Sequence, residues 1–391
     1  MKRFPLSMLI CVLVLLMSVM FVTAKEAQAA STWSENWRIV NSPNMGSDNN
    51  QVTALSAVST NDVWATGSFT IPGTQTSNGL IQHWDGSRWS IVPSPNPGSS
   101  SYFIKGVSAV STNDVWAVGF TADKNGNNHR TLTEHWDGSQ WSIVSSPNAG
   151  NQDNFLDGTV AVSTNNVWAV GLGINSSGGS TLILHWNGTQ WSVVPSPNPG
   201  STFYFQTEAR AVSANDIWSV GAAVNNNGVF QTLIEHWNGT QWNIVPSPNV
   251  GSNNNFLNSV TTVSATDVWA VGTSSNKSNN DRTLTMHWDG TQWSVVSSPN
   301  VGSQTNDLFE VGAASANDIW TVGRYINKSN VSLTLIQHWD GTQWSIVPSP
   351  NVGLGNNILQ GLTVISTNDV WAVGAYANSS NINRTLILHC C

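Results

Sequence analysis

The chain has 391 residues, 21 of them tryptophan, and only 9% of the residues are Asp, Glu, Lys or Arg. This charged fraction is far below the roughly 25% of ordinary soluble domains, and the dominance of Gly, Asn, Ser, Thr, Val and Trp excludes a large helical bundle. The formal net charge of −8, without any basic run, excludes nucleic acid and anionic membrane surfaces as expected partners.

The first segment has the pattern of an export signal. A basic start, Met1-Lys2-Arg3, precedes an apolar stretch from Phe4 to Val22, and Ala27-Gln28-Ala29 is a small-x-small cleavage site. We therefore expect residues 1–29 to be a signal peptide and the mature chain, residues 30–391, to be secreted. The apolar stretch is also long enough to span a bilayer, so an uncleaved membrane anchor is the alternative.

One unit of about 51 residues then recurs seven times along the chain. A period of about this length, with several short strands per unit, is typical of a β-propeller. The first marker of the unit is a Trp followed three residues later by Gly, at Trp64, Trp116, Trp168, Trp218, Trp269, Trp320 and Trp371. The second marker is a His that in six units opens a His-Trp-Asp/Asn-Gly turn, at His83, His135, His185, His236, His287, His338 and His389.

Each unit predicts four strands, A to D. In one unit the apolar and β-branched runs place strand A at residues 257–263, B at 267–272, C at 283–288 and D at 292–296. Asp289-Gly290 between C and D predicts a tight β-hairpin turn, because Gly adopts positive φ readily. Strand D often ends in Pro, which cannot donate to a ladder, so D should be the outer edge. Strand A carries small residues, so it should be the innermost strand, where the blades crowd around the axis.

The two ends of the chain predict how the ring closes. The last unit has strand A at residues 359–365, strand B around Trp371 and strand C at 385–389, and Cys390 then stands where Trp is expected. Strand D is missing there, and residues 36–41 match it. The prediction is an all-β, monomeric, seven-bladed propeller of four-stranded antiparallel blades, whose last blade is closed by the N-terminal strand.

The period, the four-strand unit and the shared last blade resemble kelch-type seven-bladed propellers, over essentially the whole mature chain. The chain departs from kelch repeats in having a single glycine after strand B, as at Gly119 and Gly272. The Trp-Asp-Gly-Thr-Gln-Trp hairpin also resembles a shortened Asp-box turn of sialidase-type propellers. As a whole the chain looks like the secreted propeller-repeat proteins of bacteria. The resemblance implies a fold and leaves the activity open.

The seven repeated His residues are candidates for metal binding or for a structural role. One His per blade would keep neighbours too far apart for the ~2 Å bonds of a shared ion. We therefore expect no metal or other cofactor, and a hydrogen bond from each His to its own blade's Ser-x-Asn-Asp turn. That acceptor position is occupied by Asp62, Asp114, Asp216, Asp267, Asp318, Asp369 and, once, Asn166. The adjacent Cys390 and Cys391 are incidental thiols or form a disulfide within or between chains.

Enzyme signatures are poor. The sequence has no phosphate-binding loop, nucleophile elbow or zincin helix. Strand A carries acids that occur once each, Asp157, Glu208 and Glu310, together with Arg210 and Lys105. Paired carboxylates near the axis could perform glycosidase chemistry, but the dispersed arginines make a hydrolase the weaker hypothesis. We expect a non-catalytic protein.

The B–C and D–A loops vary between units and should lie on one face of the ring, where function is expected. Aromatic rings and amides there predict weak binding of neutral glycans. The predicted ligand-binding residues are Phe103, Phe155, Tyr204, Phe205, Phe256, Asn154, Asn254 and Asn255. Two alternatives remain: an adhesive or structural scaffold that binds cell-surface proteins, and a purely structural role for the Phe rings as plugs over the core.

Overall fold

A computed structural model describes residues 37–98, 101–149, 152–176, 178–198 and 203–390. The predicted signal peptide, Asn36 and Cys391 lie outside these described residues. Within them every regular element is a β-strand. None of the described ranges contains a helix long and apolar enough to cross a membrane.

The strands form seven sheets of four. Blade 1 is β2 (Asn50–Ser59), β3 (Asp62–Thr70), β4 (Ser77–Trp84) and β5 (Trp89–Val92), and blade 2 is β6 (Ser101–Ser111), β7 (Asp114–Ala122), β8 (Arg130–Trp136) and β9 (Trp141–Val144). Blade 3 is β10 (Asn154–Ser163), β11 (Asn166–Asn175), β12 (Gly178–Trp186) and β13 (Trp191–Val193), and blade 4 is β14 (Tyr204–Ser213), β15 (Asp216–Val224), β16 (Phe230–Trp237) and β17 (Trp242–Ile244). Blade 5 is β18 (Asn255–Ser264), β19 (Asp267–Ser275), β20 (Asp281–Trp288) and β21 (Trp293–Val296), and blade 6 is β22 (Asn306–Ser315), β23 (Asp318–Ile326), β24 (Ser332–Trp339) and β25 (Trp344–Val347). Blade 7 is β26 (Asn357–Ser366), β27 (Asp369–Ala377), β28 (Asn383–Cys390) and β1 (Trp37–Ile39).

The predicted fold class is confirmed: each blade is an antiparallel meander, and the innermost strands contact one another around a closed ring. The predicted composite blade is also confirmed. Strand β1 pairs with β28, with Trp37 opposite Cys390 and Ile39 opposite Leu388, and the Val40 amide donates to the Ile387 carbonyl at 2.9 Å. The two ends of the described chain therefore hold one sheet together.

The strands differ in length from the sequence prediction. Strand A of blade 5 runs from Asn255 to Ser264 and strand B continues to Ser275, so both extend into residues predicted as loops. Asn255 pairs with Ser274 in the ladder although both are polar. Strand D is shorter than predicted. Residue polarity is a poor guide to the ends of strands A and B, because their backbone pairing continues into polar residues beyond the apolar pattern.

Every strand A has a β-bulge, and a glycine of strand B lies beside it. In blade 2 the register shifts between Ile104 and Gly106, and Ile104 pairs with Gly119. A Cβ added at Gly119 would lie 1.9 Å from the Phe103 carbonyl oxygen. The same carbonyl approach occurs in all seven blades, at Gly67, Gly119, Gly171, Gly221, Gly272, Gly323 and Gly374. The repeated glycine is therefore a requirement of the bulge, where the backbones approach too closely for a side chain.

Tryptophans fill the seams between blades. Trp64 of blade 1 lies 5.1 Å from Trp136 and 5.4 Å from Trp141 of blade 2, measured between ring centroids. Five further seams repeat this triplet. At the seam between blades 6 and 7, Trp320 contacts Trp37 at 5.8 Å, and the fully buried, disulfide-bonded Cys390 occupies the strand C position. These contacts bury the first tryptophan of each unit almost completely.

Candidate functional site

The ring has two faces, defined by its connections: the A–B and C–D turns form the turn face, and the B–C and D–A connections form the loop face. The seven histidines lie near the turn face. Each Nε2 lies 2.7–2.9 Å from an Asp or Asn Oδ1 of the same blade, and each ring also contacts its blade's first Trp. No group of three or more His, Cys, Asp or Glu within the described ranges could hold a metal ion.

The turn face is acidic. Asp85 in the first C–D turn accepts hydrogen bonds from the Ser87 hydroxyl and from the Ser87 and Arg88 amides, which lower its pKa to about 2. Equivalent carboxylates and those bonded to the histidines make up the set Asp62, Asp85, Asp114, Asp137, Asp216, Asp267, Asp289, Asp318, Asp340 and Asp369. Only Arg38 and Arg88 accompany them among the described residues of this face. These aspartates are committed to turns and histidine partners, so they serve the fold.

Phenylalanine is confined to the opposite half of the blades. Of the 11 Phe, those in the described residues lie at the start of strand A, the end of strand B or the start of strand C. They are Phe69, Phe103, Phe120, Phe155, Phe203, Phe205, Phe230, Phe256 and Phe309. All four Tyr share this half, whereas the described Trp residues lie in the turn half. The repeat therefore has Trp at the seams between blades, and Phe and Tyr near the loop face.

Two groups of half-buried rings stand on the loop face. The first, the blade 2–3 cluster, joins Phe103 to Phe120 at 5.1 Å, Phe120 to Phe155 at 4.9 Å, and Phe155 to His129 at 4.5 Å between ring centroids. Each of these four side chains is half-buried. The cluster crosses the seam between blades 2 and 3 on the loop face, so its phenylalanine rings offer an apolar contact surface that spans two blades.

The second group, the blade 4–5 cluster, has the same character. Phe230 lies 4.7 Å from Phe256, and Phe205 lies 6.1 Å from both Phe203 and Phe230. These rings are also half-buried. Phe120, Phe203 and Phe230 were not predicted from the sequence. Their recurrence in the loop half of the unit was the available signal.

Three residues of the predicted glycan site, two of its amides and one of its aromatic rings, are buried in the structure. Asn154 and Asn255 are fully buried and Tyr204 is 4% exposed, so they cannot contact a ligand on the surface. Asn255 Oδ1 accepts the Val250 amide at 2.9 Å and its Nδ2 donates to the Asn253 carbonyl at 2.7 Å. These asparagines close the D–A loops from within.

Asn254 is placed differently. It is half-buried on the loop face, and its Oδ1 accepts the Phe230 amide at 3.0 Å. The amide oxygen that a glycan hydroxyl would use is therefore already engaged. Of the predicted residues, Phe103, Phe155, Phe205 and Phe256 remain partly accessible, and the structure brings them into the two clusters.

A groove of about 400 Å³ lies toward the outside of the loop half of blade 5. Its lining includes Val250 and Val295, which are 41% and 44% exposed, together with Lys277 and Arg282. Arg282 donates to the carbonyls of Gln304 and Gly302, so it holds the adjacent loop. The groove adds further exposed apolar surface to the side of the ring that carries the clusters.

The scattered charges predicted on strand A meet on the axis. Arg210 of blade 4 donates from Nη1 to Glu208 Oε1 at 2.6 Å and from Nη2 to Glu310 Oε1 of blade 6 at 3.1 Å. Ser259 of the intervening blade 5 donates to Glu310 Oε1 at 2.7 Å. We call Glu208, Arg210, Glu310 and Ser259 the channel belt. Burial raises the pKa of both glutamates, and Arg210 opposes this shift.

Asp157 and Lys105, on blades 3 and 2, lie near the belt. Burial is the main cause of a raised pKa for Asp157, and Lys105 acts in the opposite direction. The structure thus unites the five charged residues singled out from the sequence. Arg210 pairs with two of the three carboxylates, those of Glu208 and Glu310.

Two buried glutamates were missed by sequence reasoning. Glu134 and Glu235 precede the strand C histidine in blades 2 and 4 and are fully buried. The Ser94 hydroxyl is 3.0 Å from both Glu134 carboxyl oxygens, and the Ser196 hydroxyl is 2.8 and 2.9 Å from those of Glu235. Burial raises the pKa of Glu134 to about 8 and that of Glu235 to about 7.

Comparison with known proteins supports the fold. No protein-family model matches the chain, and no curated protein matches it. Among solved structures, YCF48 bound to D1 peptide has a TM-score of 0.56 at 13% identity, covering 91% of this chain and 95% of that chain. A protein of unknown function from Dyadobacter fermentans DSM 18053 has a TM-score of 0.54 at 10% identity, covering 91% and 98%. Similarity at these identities shows the propeller fold alone.

Proposed function

We propose that the protein is a non-catalytic binding module, acting outside the cell, whose loop face binds polypeptide segments with apolar side chains. The observation that carries this proposal is the pair of half-buried phenylalanine clusters on the loop face. Half-exposed aromatic rings gain free energy when a partner covers them, and aromatic residues dominate the binding energy of protein interfaces.

A polypeptide is favoured over a glycan by the state of the polar groups. A neutral sugar needs amides or hydroxyls beside the aromatic rings, and here Asn154 and Asn255 are buried while the Asn254 oxygen is occupied. An apolar peptide segment needs only the rings and an apolar groove. The structural neighbour bound to a peptide is consistent with this use of the fold. An adhesive role would use the same face.

The non-catalytic part of the proposal is supported by the channel belt. Glu208 and Glu310 share the Arg210 guanidinium. A glycosidase needs two carboxyl groups that are free to face a scissile bond. The belt instead links blade 4 to blade 6, which suits a structural role.

The test begins with phage-displayed random peptides selected on the intact protein. Enriched peptides should share aromatic or aliphatic residues. Phe155→Ala and Phe256→Ala should each raise the Kd of a synthetic enriched peptide by about tenfold or more, because each removes one anchoring ring. Matched controls are Ile143→Ala and Val193→Ala, which remove side chains that are each 43% exposed on outer strands. These controls should bind the peptide as the parent does.

A panel of neutral polysaccharides, measured with the same variants, separates the two ligand classes. Polysaccharide binding that is lost in Phe155→Ala and Phe256→Ala, without peptide enrichment, would make the loop face a glycan site and reject the polypeptide proposal. Absence of enrichment and of glycan binding would reject both. Circular dichroism and melting temperatures of each variant show whether a loss of binding reflects a loss of fold.

A further inference from the structure

The axial channel contains a cavity of about 190 Å³ on the turn side of the channel belt. Its lining comes from the second half of the innermost strand of every blade, from Leu55 to Ala57 in blade 1 and from Leu362 to Val364 in blade 7. The cavity is therefore remote from the loop-face clusters. Its volume is below the roughly 300–1,000 Å³ of pockets for drug-sized ligands, so it suits a smaller ligand and not a peptide.

Hydroxyl groups dominate the polar lining. Ser56 and Ser108 accept the amides of Ala109 and Ala161 at 3.0 and 2.9 Å, which leaves each hydroxyl hydrogen to be donated elsewhere. Thr261 and Thr363 also line the cavity, and within the described residues neither hydroxyl makes a hydrogen bond to the protein. Thr261 as a residue is only 8% exposed, but its hydroxyl is not one of the buried unsatisfied atoms, so it is open to water or to a ligand inside the cavity. A ligand hydroxyl can replace that water as its hydrogen-bond partner.

The charges favour a neutral ligand. Among the described residues that line the cavity Arg210 alone is charged, and its guanidinium is balanced by Glu208 and Glu310. A cationic ligand would meet the guanidinium without a carboxylate in the lining to balance it. An anion would have to pass the acidic turn face and approach the two glutamates. Hydroxyl groups of a neutral molecule can both donate to and accept from the threonine and serine hydroxyls.

We propose that this cavity binds one small neutral polyhydroxylated molecule, of the size of a monosaccharide or an alditol. Thr261, Thr363, Ser56 and Ser108 provide its hydrogen bonds, and Arg210 lines the end of the cavity nearest the belt. This site goes beyond the peptide-binding proposal, because it lies in the opposite half of the ring and uses none of the phenylalanines.

The experiment is isothermal titration calorimetry of the intact protein with glucose, galactose, mannose and sorbitol. At least one should bind with one site per chain. Thr261→Val and Thr363→Val should each raise the Kd of that ligand about fivefold, because each removes one hydrogen bond. Blade 3 already has Val160 in the cavity lining at the equivalent position, so both substitutions have a precedent within this fold. Thr112→Val, on an exposed A–B turn outside the cavity, is the matched control and should leave binding unchanged.

Binding that is equally strong in both threonine variants, or no binding by any of the four compounds, would overturn the proposal. The two threonine variants are made separately, and their melting temperatures show whether each is folded. A single folded variant is sufficient to compare its ligand affinity with that of the parent. Phe256→Ala should bind the small ligand as the parent does. A loss of peptide binding with intact ligand binding, or the reverse, therefore tells the failure of one proposal from the failure of the other.

Discussion

Replacing Glu134 by Gln should raise the free energy of unfolding by about 3 kcal/mol at pH 7. The carboxyl is fully buried, and burial moves its pKa from 4.5 to about 8. Folding at pH 7 must therefore bind a proton to a group that is ionised in the unfolded chain. About 2.5 pK units at 1.36 kcal/mol each give about 3 kcal/mol, an order-of-magnitude value.

The sign of the pH dependence follows from the raised pKa. The folded form favours the neutral carboxyl, so its contribution to stability is intact below pH 4.5 and is lost as the pH rises toward about 8. The parent protein should lose stability from pH 5 to pH 9 more steeply than Glu134→Gln. At pH 5 the two proteins should differ by less than about 1 kcal/mol.

The chain supplies the reason to expect that Gln fits. Gln82 occupies the same position in blade 1 and donates from Nε2 to the Pro43 carbonyl at 2.7 Å, and Gln337 in blade 6 donates to the Pro299 carbonyl at 2.8 Å. The assay is urea unfolding at pH 5, 7 and 9, followed by tryptophan fluorescence. The reverse substitution, Gln82→Glu, is the control and should introduce a new loss of stability at pH 9. Parallel pH profiles of the parent and Glu134→Gln would refute the reasoning.

Three further outcomes can be measured by thermal or urea unfolding. Deletion of residues 31–41 should cost about 4–6 kcal/mol, because it removes the buried Trp37 ring and its strand from blade 7; an unchanged melting temperature would contradict the composite blade. Asp114→Asn should cost less than about 1 kcal/mol, whereas Asp114→Ala should cost about 1–3 kcal/mol by leaving His135 Nε2 without its acceptor; equal costs would contradict this. Gly119→Ala should destabilise by about 2 kcal/mol or more, because the new methyl group meets a carbonyl oxygen at 1.9 Å; a neutral effect would show that the bulge can shift.

The repeat made the architecture predictable because one packing problem is solved seven times. The Trp, His and Gly positions each have a local cause: Trp64 fills a seam, His83 bonds Asp62, and Gly67 makes room for a carbonyl. Such causes lie within one unit or between neighbouring units. A period in the sequence therefore reveals them.

The loop asparagines carry an ambiguous signal in the sequence, because their loops vary between units although the asparagines themselves recur. Asn154 and Asn255 recur as Asn50, Asn306 and Asn357 at the same point of the unit, where each accepts a loop amide in the same way. Recurrence was therefore the available signal of a structural role. Residues that serve a ligand should break the pattern.

The sequence places the charges of the channel belt on strand A but does not show which of them meet. Arg210 meets Glu310 across an intervening blade, 100 residues away along the chain. Neither spacing nor period relates two residues that occur once each and meet only because the ring closes. Glu134 and Glu235 were equally hidden, because a strand C position that is otherwise Gln, Leu or Met predicts no carboxyl group.

The tryptophan seams give the ring an optical property. At six seams two indoles of the neighbouring blade have centroids 4.8–5.7 Å from the first tryptophan, at fixed interplanar angles. Chromophores this close couple their electronic transitions and quench or transfer excitation among themselves. Each seam is thus a built-in reporter. Opening one blade from its neighbour would change the emission and near-ultraviolet circular dichroism of that triplet while the strands inside each blade stayed paired.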